Sequence, residues 1–216
     1  MAIEVSNAGF PGDTTLELLK KFQRDVAARE PDLVVLLIGS NDMLYPGHML
    51  TIGEYCKNLN TLLDRTAVIG ADVILMTAPH FITALLLENY PQTIEHALSP
   101  ETRLVLLNDA IKAIAAERQL ELVDLYELIA PVDMSPESMI LNPANSDRRD
   151  GMHFTAAGNR AVALAVYEKI RKYFSEKRRI ICWGDSLTYG VYMPGKGTAD
   201  PAALTYPGIL CKLLNS

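Results

Sequence analysis

Leu33-Val34-Val35-Leu36-Leu37-Ile38, followed at once by Gly39-Ser40-Asn41-Asp42, is the stretch that decides the fold. Aliphatic residues without polar alternation make a strand that is apolar on both faces and must be covered on both. The polar tetrapeptide behind it supplies residues that turn the chain and make hydrogen bonds. Working outward, Ile3-Ser6, Val73-Thr77, Leu120-Val123 and Ile180-Trp183 read as further short strands. Segments of helical period lie between them. The first carries Leu19, Phe22 and Val26, with Thr14 and Glu17 spaced as a capping box. The second repeats that device with Thr51 and Glu54 and continues through Tyr55, Leu59 and Leu62. A third opens on Ser99-Pro100, a fourth follows Thr155, and a short fifth begins near Tyr206-Pro207. Strands alternating with amphipathic helices predict an α/β fold, a parallel sheet with helices on both sides.

Composition narrows the function classes. The chain has 216 residues, 49% hydrophobic and 21% charged, which predicts a soluble globular protein. No linker or repeat divides it, so residues 1–216 read as a single domain. A net charge of -6 argues against a partner that is a nucleic acid. Six basic residues, Lys169, Arg171, Lys172, Lys177, Arg178 and Arg179, read as a solvated helix end and linker. The run Leu33-Ile38 falls far short of the ~20 apolar residues that cross a bilayer, so no membrane span is expected. The N-terminus lacks a basic start and an apolar stretch of secretory length. Cys56, Cys182 and Cys211 form no C-x-x-C pair, which predicts a reduced, cytoplasmic chain. No cofactor and no metal site is expected.

In a parallel sheet, ligands bind beyond the carboxyl ends of the strands. The residues there are Asn7 to Asp13, Gly39 to Asp42, Ala78-Pro79-His80 and Gly184-Asp185-Ser186-Leu187. A serine hydroxyl becomes a nucleophile when a base takes its proton and donors hold the oxyanion. Ser186 follows a strand directly, which exposes its oxygen at the sheet edge. The surrounding residues are not G-x-S-x-G, since the position two beyond Ser186 is Thr188. Of the four histidines, His153 alone has a carboxylate close by, in Asp150-Gly151-Met152-His153. Gly12 and Asn41 follow two other strands. Their N–H groups, with that of Ser186, make a candidate oxyanion hole.

Together, Gly184-Asp185-Ser186-Leu187, Gly12 in its Asn7-to-Thr14 context, Gly39-Ser40-Asn41-Asp42 and Asp150-Gly151-Met152-His153 resemble the four blocks of the SGNH (GDSL) hydrolases. The resemblance implies a flavodoxin-like three-layer α/β/α sandwich with a five-stranded sheet, and ester hydrolysis through an acyl-enzyme. It implies Ser186 as nucleophile, His153 as general base and then acid, and Asp150 as the orienting carboxylate. Gly12, Asn41 and Ser186 would donate to the oxyanion, and Asp42 and Asp185 would hold loops as acceptors. In that family the GDSL block opens the chain, whereas here Ser186 comes after His153. Moving residues from about Lys177 to Ser216 to the front restores the order, so the chain resembles a circular permutation. The last strand is then expected at the sheet's centre, between the first and second.

The remaining candidates carry weaker signals. His48, His80 and His96 lack partners at metal-ligand spacing. Phe81 to Leu87 reads either as a buried segment or as an acyl-pocket wall. Tyr189, Val191, Tyr192 and Met193 are pocket candidates by position, or loop packing. Trp183 and Cys182 read as strand core. The expected activity is a serine esterase on a small-molecule ester, with short-chain acyl or acetyl groups. Carbohydrate O-deacetylation and lysophospholipase or thioesterase activity are alternatives on the same scaffold, and a non-catalytic flavodoxin-like binding module is one of another class. A terminal strand–helix unit on a short connector also allows a homo-oligomer, as a swapped dimer.

Overall fold

The computed structural model of the chain describes residues 2–95, 97–130 and 133–216; His96 lies outside them. In chain order the elements are β1 (Glu4–Gly9), α1 (Thr15–Asp25), β2 (Leu33–Leu37), α2 (Ser40–Leu44), α3 (Ile52–Val68), β3 (Asp72–Met76) and α4 (Thr83–Asn89). Then follow α5 (Pro100–Glu117), β4 (Glu121–Val123), α6 (Leu125–Leu128), α7 (Ala156–Tyr173), β5 (Arg179–Gly184), α8 (Ser186–Tyr189) and α9 (Tyr206–Leu214). The five strands pair in the order β1-β5-β2-β3-β4, every pair parallel. Counted from β5, that order becomes 2-1-3-4-5, the flavodoxin-like arrangement.

Period-two alternation in β2 sorts the two helix layers. Val34 and Leu36 face Leu18 and Phe22 of α1, Tyr55 and Leu59 of α3, and Leu104 and Leu107 of α5. Leu33, Val35 and Leu37 face Val162, Val166 and Ile170 of α7 and Tyr206 and Leu210 of α9. All five β2 residues are buried, each worth about 1.5–3 kcal/mol against exposure. Trp183 and Cys182 are buried on opposite faces of β5, and Trp183 packs on Phe22 with ring centroids 5.9 Å apart.

The connector from α7 into β5 is held at its end. The Asp32 carboxylate accepts from the backbone N–H groups of Arg178 and Arg179, at 2.8 and 2.9 Å. The basic cluster around it is partly paired: Lys169 meets Glu121, Lys177 meets Asp72 and Arg179 meets Glu30. At the other end of β5, Gly184 pairs in register with Gly9 of β1. A Cβ on Gly184 would stand 2.1 Å from the Leu37 carbonyl oxygen, and one on Gly9 would stand 2.3 Å from the Tyr189 nitrogen. Gly9 leaves room for the α8 backbone, and Gly184 leaves room for the β2 carbonyl of Leu37 and the Thr188 hydroxyl of α8.

Two local expectations are corrected. The first strand runs on through Asn7, Ala8 and Gly9 rather than stopping at Ser6, because β5 offers a partner along that whole length. Thr14 makes no side-chain cap to the backbone of α1; its hydroxyl bonds the Glu17 carboxylate instead. The expected caps at Thr51 and Glu54, Ser99 and Thr155 are formed. Among the described residues, no helix is long and apolar enough to cross a membrane.

Candidate active site

Ser186 opens α8 immediately past β5, with Asp185 as the helix N-cap accepting from the Leu187 N–H at 2.9 Å. His153 arrives from the loop before α7. Its Nε2 lies 2.9 Å from Ser186 Oγ, and its Nδ1 lies 2.8 Å from Asp150 Oδ2. An ionised carboxylate only accepts, so the ring proton sits on Nδ1 and Nε2 presents its lone pair to the serine hydroxyl. The other Asp150 oxygen accepts from the backbone of Met152 and His153, at 2.8 and 2.5 Å. Burial alone would raise the Asp150 carboxyl, but the bond and charge of His153 and these two N–H groups hold it below the ordinary carboxylate range. One residue thus folds the loop and fixes the imidazole.

That loop is anchored on both sides. Gly151 donates to the Leu141 carbonyl and accepts from the Ile82 N–H, each at 2.8 Å. The Asn89 amide at the end of α4 reaches the carbonyls of Arg149 and Asp150, at 2.8 and 3.3 Å.

Gly12 and Asn41 share a cleft of about 300 Å³ with Ser186 and His153, walled by Leu44, Leu86 and Val191. One Asn41 amide hydrogen bonds the Asp13 carbonyl at 2.9 Å. The amide nitrogen also reaches Asp185 Oδ2 at 3.5 Å, a long bond that a ligand oxygen would displace. Gly12 takes φ +81°, and a Cβ there would meet only open space, so backbone conformation rather than crowding selects glycine.

Asp42 ties these two loops together. Its carboxylate accepts from the Thr15 backbone N–H at 3.0 and 3.2 Å and from the Thr15 hydroxyl, closing the first turn of α1. Asn58 of α3 also donates to the Thr15 hydroxyl, at 3.0 Å. Asn7 performs a similar clamp on the far side of the serine: its amide donates to the carbonyls of Thr188 and Thr198, at 3.0 and 3.1 Å.

All five expected site residues therefore gather at one sheet edge. Of the other candidates, Leu86 and Val191 line the cleft, while Leu85 is buried in the core. His80 stacks on Tyr126 with centroids 3.7 Å apart, and burial lowers its pKa. His48 packs against Tyr45. Thr15, Asn58 and Asn89 are not singled out by the sequence, which places Asn7 at a strand end without its clamping role. Their signal is faint: Thr15 and Asn89 stand at helix ends, and Asn58 lies within α3. Among the described residues, no group of three or more His, Cys, Asp or Glu could hold a metal.

A hydroxyl, an imidazole and a carboxylate in line beside amide donors can activate serine for attack on a carbonyl. The chain belongs to the GDSL-like lipase/acylhydrolase family, whose sequence pattern matches residues 2–161. It is 32% identical over 90 residues to an acetylxylan esterase of Geobacillus stearothermophilus, a match covering 38% of this chain and 40% of that protein. The chain thus spans well under half of that curated relative. Its fold resembles a solved lipase/acylhydrolase of Enterococcus faecalis, with TM-score 0.58, 25% identity, and 78% of this chain and 74% of the other covered. A GDSL-like lipase of Bacteroides thetaiotaomicron matches with TM-score 0.58 and 24% identity, over 74% of this chain and 72% of that one.

Two buried carboxylates beside the site set a pH dependence. Burial pushes Asp42 up to about 6 against its bonds from Thr15, and Asp185 up to about 7 against the Leu187 N–H. Each folded-state pKa lies above the unfolded value, so the folded chain holds protons that the unfolded chain has released. Their contribution to stability is complete below about pH 4 and is lost as pH rises through about 6 to 7. In urea unfolding followed from pH 4 to pH 8, Asp42→Asn is expected to flatten the decline by on the order of 3 kcal/mol. Parallel curves for the two proteins would contradict this.

Proposed function

We propose that the protein is a serine esterase that hydrolyses small carboxylic esters, carrying acetyl or other short acyl groups, through an acyl-enzyme. The observation that carries the reading is the unbroken line from Asp150 through His153 to Ser186 Oγ, with contacts of 2.8 and 2.9 Å. In this reading Ser186 Oγ bonds to the ester carbonyl carbon while His153 Nε2 takes the hydroxyl proton. The carbonyl oxygen, now an anion, faces Gly12, Asn41 and the Ser186 N–H. The carbon–alkoxy bond then breaks, and the alkoxy oxygen leaves with the proton from Nε2. Water attacks the acyl-enzyme by the same proton path, releasing the acid and restoring the serine.

The acetylxylan esterase relative favours acetyl as the acyl group and an acetylated sugar as one candidate substrate. The apolar walls from Leu44, Leu86 and Val191 suit a short aliphatic acyl chain. Ser186→Ala is expected to lower turnover of an aryl acetate by about 10⁴-fold or more, and Asn41→Ala by about 10²–10³-fold. An acyl-chain series beside acetylated xylo-oligosaccharide would rank the substrates. Undiminished turnover in Ser186→Ala would remove the mechanism, and a folded chain inert to every ester would favour a binding module.

We further propose that the chain is a circular permutation of its family's usual order. The family pattern covers residues 2–161 and leaves Gly184-Asp185-Ser186-Leu187 outside. Ile3 and Asn215 are paired, Ile3 N to Asn215 Oδ1 at 2.8 Å and Asn215 Nδ2 to Ile3 O at 2.9 Å, so a joint between those ends needs little chain. A gene that joins Ser216 to Met1 through a short Gly-Ser spacer and opens between Glu176 and Lys177 should fold with the same aryl-acetate kinetics. An insoluble or inactive product would count against it.

A further inference from the structure

Three cavities border His153, of about 20, 130 and 300 Å³, and the two larger ones are wide enough for parts of a substrate. One is the cleft that holds Gly12, Asn41 and Ser186. The other, of about 130 Å³, is bounded by Asn89, Arg148, Arg149, Tyr192 and Asp150, whose carboxylate is engaged by His153, and shares Tyr90, Met152 and His153 with the cleft. The second contains none of the oxyanion donors. It lies against the imidazole on the side of the Arg148–Asp150 loop.

Tyr192 stands out at this pocket. It adopts φ +69°, a left-handed conformation that side chains other than glycine enter at a cost. Among the described residues, Glu30 and Gln119 are the other non-glycine cases, and both follow the ends of helical turns, where that conformation is ordinary. Burial does not hold Tyr192 in place, because it is 44% exposed. Its turn is instead hung on the serine: Gly190 and Val191 both donate to the Ser186 carbonyl, at 3.0 and 3.2 Å. The ring meets the His153 imidazole edge to face, with centroids 5.5 Å apart at 85°. On it rests the Arg148 guanidinium, 4.7 Å from the ring centroid.

The two arginines differ in how far their charge is satisfied. Arg149 is bidentate on Glu88, with both contacts at 2.7 Å. Arg148 approaches the adjacent Asp147 through Nε at 3.4 Å, and that carboxylate is 85% exposed, so water competes for it. A guanidinium stacked on an aromatic ring keeps its edge free for a planar anion.

We propose that this side pocket is a leaving-group subsite, which takes the alcohol half of the ester and favours alcohols bearing an anionic group, carboxylate or phosphate, held by Arg148 on its Tyr192 platform. The inference rests on the Ser186–His153 reading above. When the carbon–alkoxy bond breaks, the alkoxy oxygen takes its proton from His153 Nε2. The departing alcohol must therefore lie against the imidazole and away from Gly12 and Asn41. The leaving oxygen itself stays in the cleft at Nε2, and the side pocket, which adjoins the cleft along Tyr90, Met152 and His153, takes the far end of the alcohol, where Arg148 is the one loosely paired cation.

The test compares kcat/KM for para-acetoxybenzoate, whose leaving group is anionic, with that for neutral para-acetamidophenyl acetate. Intrinsic reactivity cancels when the ratio is compared between variants. Arg148→Gln should lower the ratio about tenfold while the neutral ester changes less than about twofold, and Arg148→Lys should restore part of it. The native ratio should fall as salt is raised. Tyr192→Gly relieves the backbone cost, so its unfolding midpoint should stay level or rise while the ratio falls. An acetylated hydroxy-alkyl phosphate, run beside the carboxylate, separates the two anion types. If Arg148→Gln moves both esters equally or neither, the subsite is refuted and the esterase reading stands. If the folded native chain cleaves neither ester, both fall.

Discussion

Gly9, Gly184 and Leu37 stand on one register row of the parallel sheet, so β1, β5 and β2 end level with one another. Everything at the candidate site depends on that row. The chain leaving β1 passes through Gly12, the chain leaving β5 passes through Ser186, and the chain leaving β2 passes through Asn41. Three polypeptide segments far apart in sequence meet within hydrogen-bonding range because their strands are neighbours and end together. Threading β5 between β1 and β2 makes this possible, the absence of a Cβ at Gly184 lets β5 lie close to Leu37 of β2, and its absence at Gly9 lets α8 settle onto the strand ends.

Level strand ends do not by themselves fix side chains. Buried polar groups complete the placement, at a thermodynamic cost. Asp42 clamps the first turn of α1 to the Asn41 turn, and Asp150 closes the loop that bears His153. Asp42 and Asp185 are both buried, with no cation in contact among the described residues, and desolvation raises their pKa values in consequence. Tyr192 adds backbone strain in the same small region. Such features concentrate where geometry matters more than stability, and the apolar layers on either face of β2 offset them.

Much of this is legible in the sequence because it follows from local patterns. Leu33 to Leu37 lack polar alternation, so two-sided coverage follows, and Thr51 with Glu54 forms the capping box that their spacing predicts. The four blocks that carry the family resemblance lie at strand ends or ahead of a helix, and the structure gathers their residues at one edge. What was not legible is long-range. Thr14 and Glu17 have capping-box spacing, yet the α1 N–H goes to Asp42, which stands 27 residues from Thr15. Likewise Asn7 holds the Thr188 carbonyl across 181 residues, a contact no local window contains. β1 gained Asn7, Ala8 and Gly9 for the same reason, since a strand's length is set by its partner as well as by its own residues.

In the proposed reaction, a nucleophile and its oxyanion donors converge from β5, β1 and β2. A crystal structure of the chain after reaction with a small alkyl fluorophosphonate tests it most directly, because the phosphonyl oxygen stands where the oxyanion would. The expected density shows phosphorus bonded to Ser186 Oγ, with that oxygen about 2.7–3.1 Å from Gly12 N, Asn41 Nδ2 and Ser186 N. Phosphorus on another residue, or an oxygen turned away from Gly12 and Asn41, would contradict it.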